Sequence, residues 1–334
     1  MKYNKYFKMV ISFTILLIAS LICTNCGNDN SSVIDSETLI MYKLSNKKLT
    51  LYTKNVNTDK SNKITFRDKS INKNSVITEY DNCWLLNSPD DNQKDQLFFP
   101  YDNGKFVSLN EKGYSLIGAS SSSLILVKYD DTDWNLMMYN IENEELSNLN
   151  FSSKIDDKSR VLRGSFNKTT DKFLSIYTNQ NGTYLLEIIN SQITSIKLSE
   201  EILNGYITYL DDKFLFIASD INNTKPIKLY LIETINLNES TLPKSYNLDI
   251  TENINNSILA STPITNDELL LISNENGGNL LSLYKLNINN TSIKKLTDKN
   301  IQTQGVKQIN NENYIISNED FFKINNALQF ELLK

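Results

Sequence analysis

Apolar and polar positions alternate along most of this chain with a period of two, in short runs separated by polar turns. The clearest stretch is Glu268–Asp298. An apolar run, Leu269–Ile272, meets the turn residues Asn274–Gly278. An alternating run follows with Leu281, Leu283 and Leu286, then a polar turn at Asn287–Thr291, then a last short run ending in Lys295-Leu-Thr-Asp298. Period-two alternation puts successive side chains on opposite faces of an extended strand. Gly277 and Gly278 supply the positive φ that tight hairpins need. The stretch predicts strand, hairpin, strand, turn, strand. No segment sustains a 3.6-residue period with helix caps, so helix is expected to be scarce, with one turn at Glu200–Asn204.

The same unit recurs. A polar turn leading into an apolar, β-rich run appears at Glu37–Tyr42, Asn82–Leu86, Ser123–Val127, Asp171–Tyr177, Asp212–Ile217, Asp267–Ile272 and Glu312–Ile316. These seven runs stand roughly 40–55 residues apart, the spacing of propeller blades. A hairpin partner and a polar outer strand follow each run. In front of most lies another short run rich in small residues, such as Ser75–Tyr80, Ser115–Ala119 and Gly305–Ile309. The first unit lacks such a run, unless Val33-Ile34 is its remnant. The pattern predicts an all-β fold, a β-propeller of four-stranded blades, seven by this count with six or eight as alternatives. A pair of β-sandwiches does not predict a regular four-strand period, and a β-helix needs a much shorter repeat.

Two motifs sharpen this reading. Ile293-Lys-Lys-Leu-Thr-Asp298 stands behind Leu283-Tyr-Lys-Leu286, and Phe166-Asn-Lys-Thr-Thr-Asp-Lys-Phe173 keeps Phe166 and Asp171 of a turn that has lost its Pro and Gly. Both resemble blade endings and turns of TolB-like propellers. The resemblance implies an interaction scaffold. Some peptidases and lyases carry related propellers, so the fold alone does not assign chemistry.

The N-terminus reads as an address. Lys2, Lys5 and Lys8 precede an apolar stretch, Val10–Ile22, of signal-peptide length and short for a bilayer-spanning helix. The two cysteines behind it sit where a bacterial lipoprotein carries its lipidated residue. Cys26, preceded by Thr24-Asn25 and followed by Gly27-Asn28, is the preferred lipidation site, with Cys23 as the alternative because bulky Ile22 precedes it. This divides the chain into a lipoprotein signal peptide (1–25), a flexible tether (26–36) and the propeller (37–334). The expected location is extracytoplasmic, lipid-anchored to the membrane of a bacterial envelope.

Composition excludes several chemistries. The 334 residues contain no histidine, which removes Ser-His-Asp and Cys-His catalysis and His-bearing zinc sites. The net charge is −5; loss of Lys2, Lys5 and Lys8, with no acid among residues 1–25, leaves −8. That balance argues against nucleic acid or an anionic phosphate surface as the main partner. Cys83, in an apolar run, is expected to be a buried small hydrophobe. Asp131, Asp133 and Asn135 have calcium-loop spacing, but Leu136 stands where such a loop needs Gly, so a hairpin turn is expected. Neither a metal nor a cofactor is predicted, nor any catalytic residue.

Charges in the predicted innermost strands stand out. Glu79, Arg160, Arg163 and Lys307 fall where other blades offer Ile, Leu, Ala or Gly, and are candidate binding residues at the channel mouth. A guanidinium there suits a carboxylate ligand or an acidic side chain; the plainer reading is solvated or mutually paired charge. Tyr80, Tyr101, Tyr209 and Trp134 suit a glycan or peptide surface, or simple packing. The function expected is a membrane-anchored scaffold that binds a protein, peptide or glycan, rather than an enzyme. The alternatives are a His-independent lyase or glycan-processing hydrolase, disfavoured because Glu79 is the sole inner acid, and a structural subunit of an envelope complex.

Overall fold

The computed structural model describes residues 37–69, 71–80, 83–88, 94–99, 105–120, 122–156, 158–167, 172–210, 213–220, 227–233, 244–250, 258–275 and 279–333. Cys23, Cys26, Val33, Ile34 and Tyr101, and the Gly277-Gly278 turn, lie outside them.

The described residues form seven sheets arranged as a β-propeller, with no helix among them. Blade 1 has three strands, β1 (Thr38–Ser45), β2 (Lys48–Asn55) and β3 (Ser61–Phe66). Blade 2 holds β4 (Val76–Tyr80), β5 (Cys83–Asn87), β6 (Gln96–Phe99) and β7 (Lys105–Ser108). Blade 3 holds β8 (Tyr114–Ala119), β9 (Ser123–Tyr129), β10 (Asp133–Asn140) and β11 (Glu145–Lys154). In blade 4 the innermost strand is split into β12 (Arg160–Val161) and β13 (Ser165–Phe166), both paired with β14 (Phe173–Asn179), before β15 (Gly182–Ile189) and β16 (Gln192–Ser199).

Blade 5 holds β17 (Leu203–Leu210), β18 (Lys213–Asp220), β19 (Lys228–Glu233) and β20 (Lys244–Asn247). The short β21 (Asp249–Ile250) then runs parallel to the outer strand of blade 6. Blade 6 is β22 (Ile258–Thr265), β23 (Glu268–Glu275), β24 (Leu280–Asn287) and β25 (Ser292–Asn300). Blade 7 is β26 (Thr303–Ile309), β27 (Glu312–Ser317), β28 (Phe321–Ile324) and β29 (Phe330–Leu332). Within every blade, neighbouring strands are antiparallel and follow chain order from the innermost outward. Tight turns hold this register: Asn190-Ser191 and Asn310-Asn311 both take positive φ, as two-residue hairpins of type I′ require.

Alternation along each strand sends one set of apolar side chains to each neighbouring blade, and the core is accordingly seven separate interblade layers. Leu215, Leu229, Leu271 and Leu286 typify the layer between blades 5 and 6, which holds eleven buried residues. Trp84 and Phe98 stack, with ring centroids 5.5 Å apart, in the layer between blades 1 and 2. Trp134 lies in the layer between blades 3 and 4 and is 1% exposed, so it packs rather than faces a ligand. Among the described residues the layer between blades 7 and 1 is the thinnest, with Leu39, Ile309 and Tyr314 as its buried apolar residues. The other layers hold seven or more. Each fully buried Leu or Ile contributes about 1.5–3 kcal/mol, so this seam draws less on apolar burial than any other junction.

One expectation is corrected and another is met. The helical turn anticipated at Glu200–Asn204 is a bend, and Leu203 already belongs to β17. Side chains take the backbone groups a helical turn would use. Thr183 Oγ1 donates to the Glu201 carbonyl at 2.7 Å and accepts from the Leu203 N–H at 2.9 Å. The acidic stretch at Asp131–Asn135 is a hairpin turn running into β10, closed by the Asp130 N–H on the Asp133 carbonyl at 2.8 Å and by Asn135 on Asp130 at 3.0 Å. Among the described residues no group of three acids or cysteines is placed to hold a metal ion. Cys83 is buried and forms no disulfide among the described residues.

Candidate functional site

Blade 1 shows no innermost strand among the described residues, so β1 turns one backbone edge toward the ring axis. Side chains from the flanking innermost strands occupy this position. From β26, the Gln304 amide accepts the Tyr42 N–H on Oε1 at 2.9 Å and donates Nε2 to the Tyr42 carbonyl at 2.7 Å. The same Nε2 reaches Asn318 Oδ1 at 2.9 Å. Lys307 Nζ donates to the Thr38 carbonyl at 2.7 Å. Thr38 and Tyr42 stand four residues apart on one strand, so both present their backbone groups along the same edge.

From the other side comes Glu79 of β4. Its carboxylate lies against Gly305, where an added Cβ would come within 2.8 Å of Oε1. Burial and the Glu79 charge together push the Tyr42 phenol up to about 12. Glu79 and Lys307, singled out for breaking the apolar pattern, therefore meet around one element, the inward edge of β1. Lys307 is only 5% exposed, so its ammonium is committed to the ring seam.

The inner wall continues as a hydroxyl and amide network. Ser261 and Thr262, adjacent on β22, bond to opposite neighbours. Ser261 shares a hydrogen bond with Thr208 of blade 5 at 2.6 Å and accepts from the Tyr206 hydroxyl at 3.4 Å. Thr262 donates to Asn313 of blade 7 at 2.5 Å and accepts from Gln308 at 3.4 Å. Side chains of the innermost strand of blade 6 thus stitch blades 5, 6 and 7 together.

Arg160 and Arg163 occupy a different sector, on blade 4, and both are exposed. The break between β12 and β13 presents them on a pinned backbone. The Leu162 N–H donates to the Ile176 carbonyl at 2.8 Å, and the Gly164 N–H donates to the Ile117 carbonyl of blade 3 at 2.7 Å. Ser175 Oγ donates to the Leu162 carbonyl at 2.7 Å. Gly164 is required by crowding, since a Cβ there would lie 2.1 Å from the Phe173 ring and 2.5 Å from the Leu174 carbonyl. Tyr209 is half-buried with its ring edge-on to Phe214, and burial, then the Glu187 charge, pushes its phenol up.

Outside the axis, the seam carries a cleft of about 300 Å³ between blades 1 and 7. Its charges pair within each blade: Lys54 with Asp59 at 2.6 Å, and Lys323 with Glu312 at 2.5 Å. The Tyr314 hydroxyl adds a bond to Glu312 at 2.7 Å. Lys323, then Tyr314, holds the Glu312 carboxyl below its usual value. Sequence reasoning did not single out Gln304, Tyr42 or Gly305. The missing inner run of the first unit was the one signal that pointed to them.

No family model matches the chain, and no curated protein sequence does either. Solved structures share the fold at low identity. The β-propeller domain of the Trilobed protease from Pyrococcus furiosus, described as having an open velcro topology, superimposes with a TM-score of 0.54 at 12% identity, covering 89% of this chain and 93% of that one. A putative 6-phosphogluconolactonase from Bacteroides fragilis gives 0.54 at 11% identity, covering 91% and 95%. TolB from Acinetobacter baumannii is among the matches at 0.44 and 8% identity, covering 88% and 79%, too distant to carry an argument. The fold is thus a seven-bladed β-propeller.

Proposed function

We propose that this propeller is an extracytoplasmic, membrane-tethered binding scaffold that engages a carboxylate-bearing segment of a protein, peptide or glycan at blade 4. The observation that carries this reading is the exposure of two guanidinium groups at one strand break. Arg160 and Arg163 are both exposed, and the backbone is bonded on either side of Arg163, at Leu162 and Gly164. An Arg carried on such a backbone offers a planar fork to a carboxylate without further ordering of the main chain. The basic n-region, apolar stretch and Cys26 supply the tether. Peptidases and a lactonase appear among the structural matches, but identities of 6–12% support a shared fold and no shared chemistry.

The test is capture from envelope extract, followed by titration of the captured partner against the parent and the Arg160→Ala/Arg163→Ala variant. The reading expects at least a tenfold loss of affinity with an unchanged melting temperature. Equal affinity would move the site away from blade 4. Replacing Cys23 and Cys26 together by Ser, in cells, should release the protein from membranes.

A further inference from the structure

Charge is distributed unevenly around the ring. Residues 37–75, which form blade 1 and its connection to blade 2, hold nine Lys and Arg against three Asp and Glu, a balance of +6. Residues 76–334 hold 22 against 34, a balance of −12. The net charge of the chain averages over one basic blade and six that are acidic together.

Topology gathers the basic side chains. β3 is antiparallel to β2 and so runs alongside β1 in the same direction. The β1–β2 turn and the end of β3 therefore lie at one end of the ring. Lys47, Arg67 and Lys69 are exposed there, with Lys73 further along the connection. Lys43 and Lys63 continue the sector along the blade, their Nζ atoms 5.3 and 5.4 Å from the Tyr52 ring centre. Three equivalent positions in other blades carry paired acids instead: Asp130 and Asp131 in blade 3, Glu200 and Glu201 after blade 4, Glu319 and Asp320 in blade 7. An anionic surface attracts the first sector and repels the others, which fixes orientation as well as contact.

Blade 1 is also the blade joined to the N-terminal segment, since the described chain begins at Glu37. Ten residues separate Cys26 from it, and ten extended residues span about 33 Å. That exceeds the roughly 26 Å length of an eight-residue strand, so a tether starting beside Thr38 lets even the far end of β1 reach the bilayer. We propose that the basic sector of blade 1 seats the propeller on the anionic headgroup surface of the membrane to which it is tethered. A lipid anchor and a basic patch then act as the two signals that hold a protein firmly at a bilayer. The identity of the bilayer rests on the tethered reading above; the basic sector does not.

The experiment uses residues 37–334, which form all seven blades without the anchor, in co-sedimentation with phosphatidylcholine vesicles and with vesicles containing 30% phosphatidylglycerol. The expected result is binding to the anionic vesicles alone, weakening steeply between about 0.05 and 0.5 M salt as the screening length shortens. The Lys47→Glu/Arg67→Glu/Lys69→Glu variant should lose more than tenfold, and the control Lys158→Glu, exposed on blade 4, less than twofold. Circular dichroism and melting curves check that both variants are folded. Absence of binding, equal binding by the triple variant, or stronger binding to polyuronate or nucleic acid than to vesicles overturns the proposal. Because no lipid anchor is present, these outcomes are independent of Cys26, which the fractionation of the double Cys→Ser variant tests separately.

Discussion

The side-chain amide of Gln304 reads the backbone of Tyr42 as a paired strand would, accepting its N–H at 2.9 Å and donating to its carbonyl at 2.7 Å. The two residues are 262 positions apart in the sequence, on the first and seventh blades. One amide thus substitutes for one rung of the ladder that an innermost strand would supply to β1. The junction has few alternatives, because its apolar layer is the thinnest in the ring.

Gln304→Ala should therefore cost about 1–3 kcal/mol, the range for leaving half-buried backbone groups unpaired. Gln304→Glu should cost at least as much. A carboxylate still accepts the Tyr42 N–H, but it sets an oxygen against the Tyr42 carbonyl. Urea unfolding monitored by circular dichroism measures both. Wild-type stability in either variant would mean that other contacts close the ring.

Lys307→Met tests whether the buried ammonium is structural. Methionine keeps most of the stem and removes the donor to the Thr38 carbonyl, so a loss of about 1–2 kcal/mol is expected. Affinity of the folded protein for a partner captured through blade 4 should not change. A large affinity loss with unaltered stability would return Lys307 to the binding surface.

The blades were legible in the sequence because each is local. Leu269, Leu271, Leu281 and Leu283 announce their strands within a few residues of one another, and the positions of hairpin partners and outer strands follow. The seam was not legible, because Tyr42 and Gln304 are joined only by closure of the ring. Glu79 and Lys307 could be seen to break the apolar pattern. Period-two reasoning could place them on innermost strands, but not say that Lys307 would be buried and bonded to Thr38. Arg160 and Arg163 fell on an expected innermost strand. The break within it follows from Gly164, Phe173 and Ile117, which belong to three different strands or connections. The charge sector was written in the sequence from the start, but a single net charge cannot show it.

Gly305 and Glu79 should be energetically coupled. A methyl group at Gly305 would reach within 2.8 Å of Glu79 Oε1, the movable end of a side chain, so Gly305→Ala forces the carboxylate aside without striking backbone. The single change is expected to destabilise the seam by about 1 kcal/mol, within the range for overpacking. In a Glu79→Ala background the same change should be nearly neutral, giving a coupling of roughly 0.5–3 kcal/mol in a double-mutant cycle. Strict additivity would show that Glu79 does not hold the position described for it.

Asp95 gives a pH dependence of defined sign. It is fully buried, and its Oδ2 accepts the Tyr114 N–H at 2.9 Å at the junction of blades 2 and 3. Burial pushes its carboxyl above the ordinary 3.8, outweighing the Tyr114 and Gly113 N–H groups and the nearby Lys112 charge. The folded state therefore binds this proton more tightly than the unfolded chain does. Its contribution is fully present below pH 3.8 and is lost as the pH rises through the folded value. Asp95→Asn keeps an acceptor for Tyr114 and removes the charge. Its stability relative to the parent should therefore rise as the pH increases from 3.8 toward neutrality, and then level off once the parent carboxyl is ionised. Urea unfolding of the two proteins at half-unit intervals across that range reads the difference directly, because groups common to both cancel. A difference that is flat with pH, or that falls, would mean that Asp95 is ionised in the folded protein at no cost, with its charge compensated at the junction.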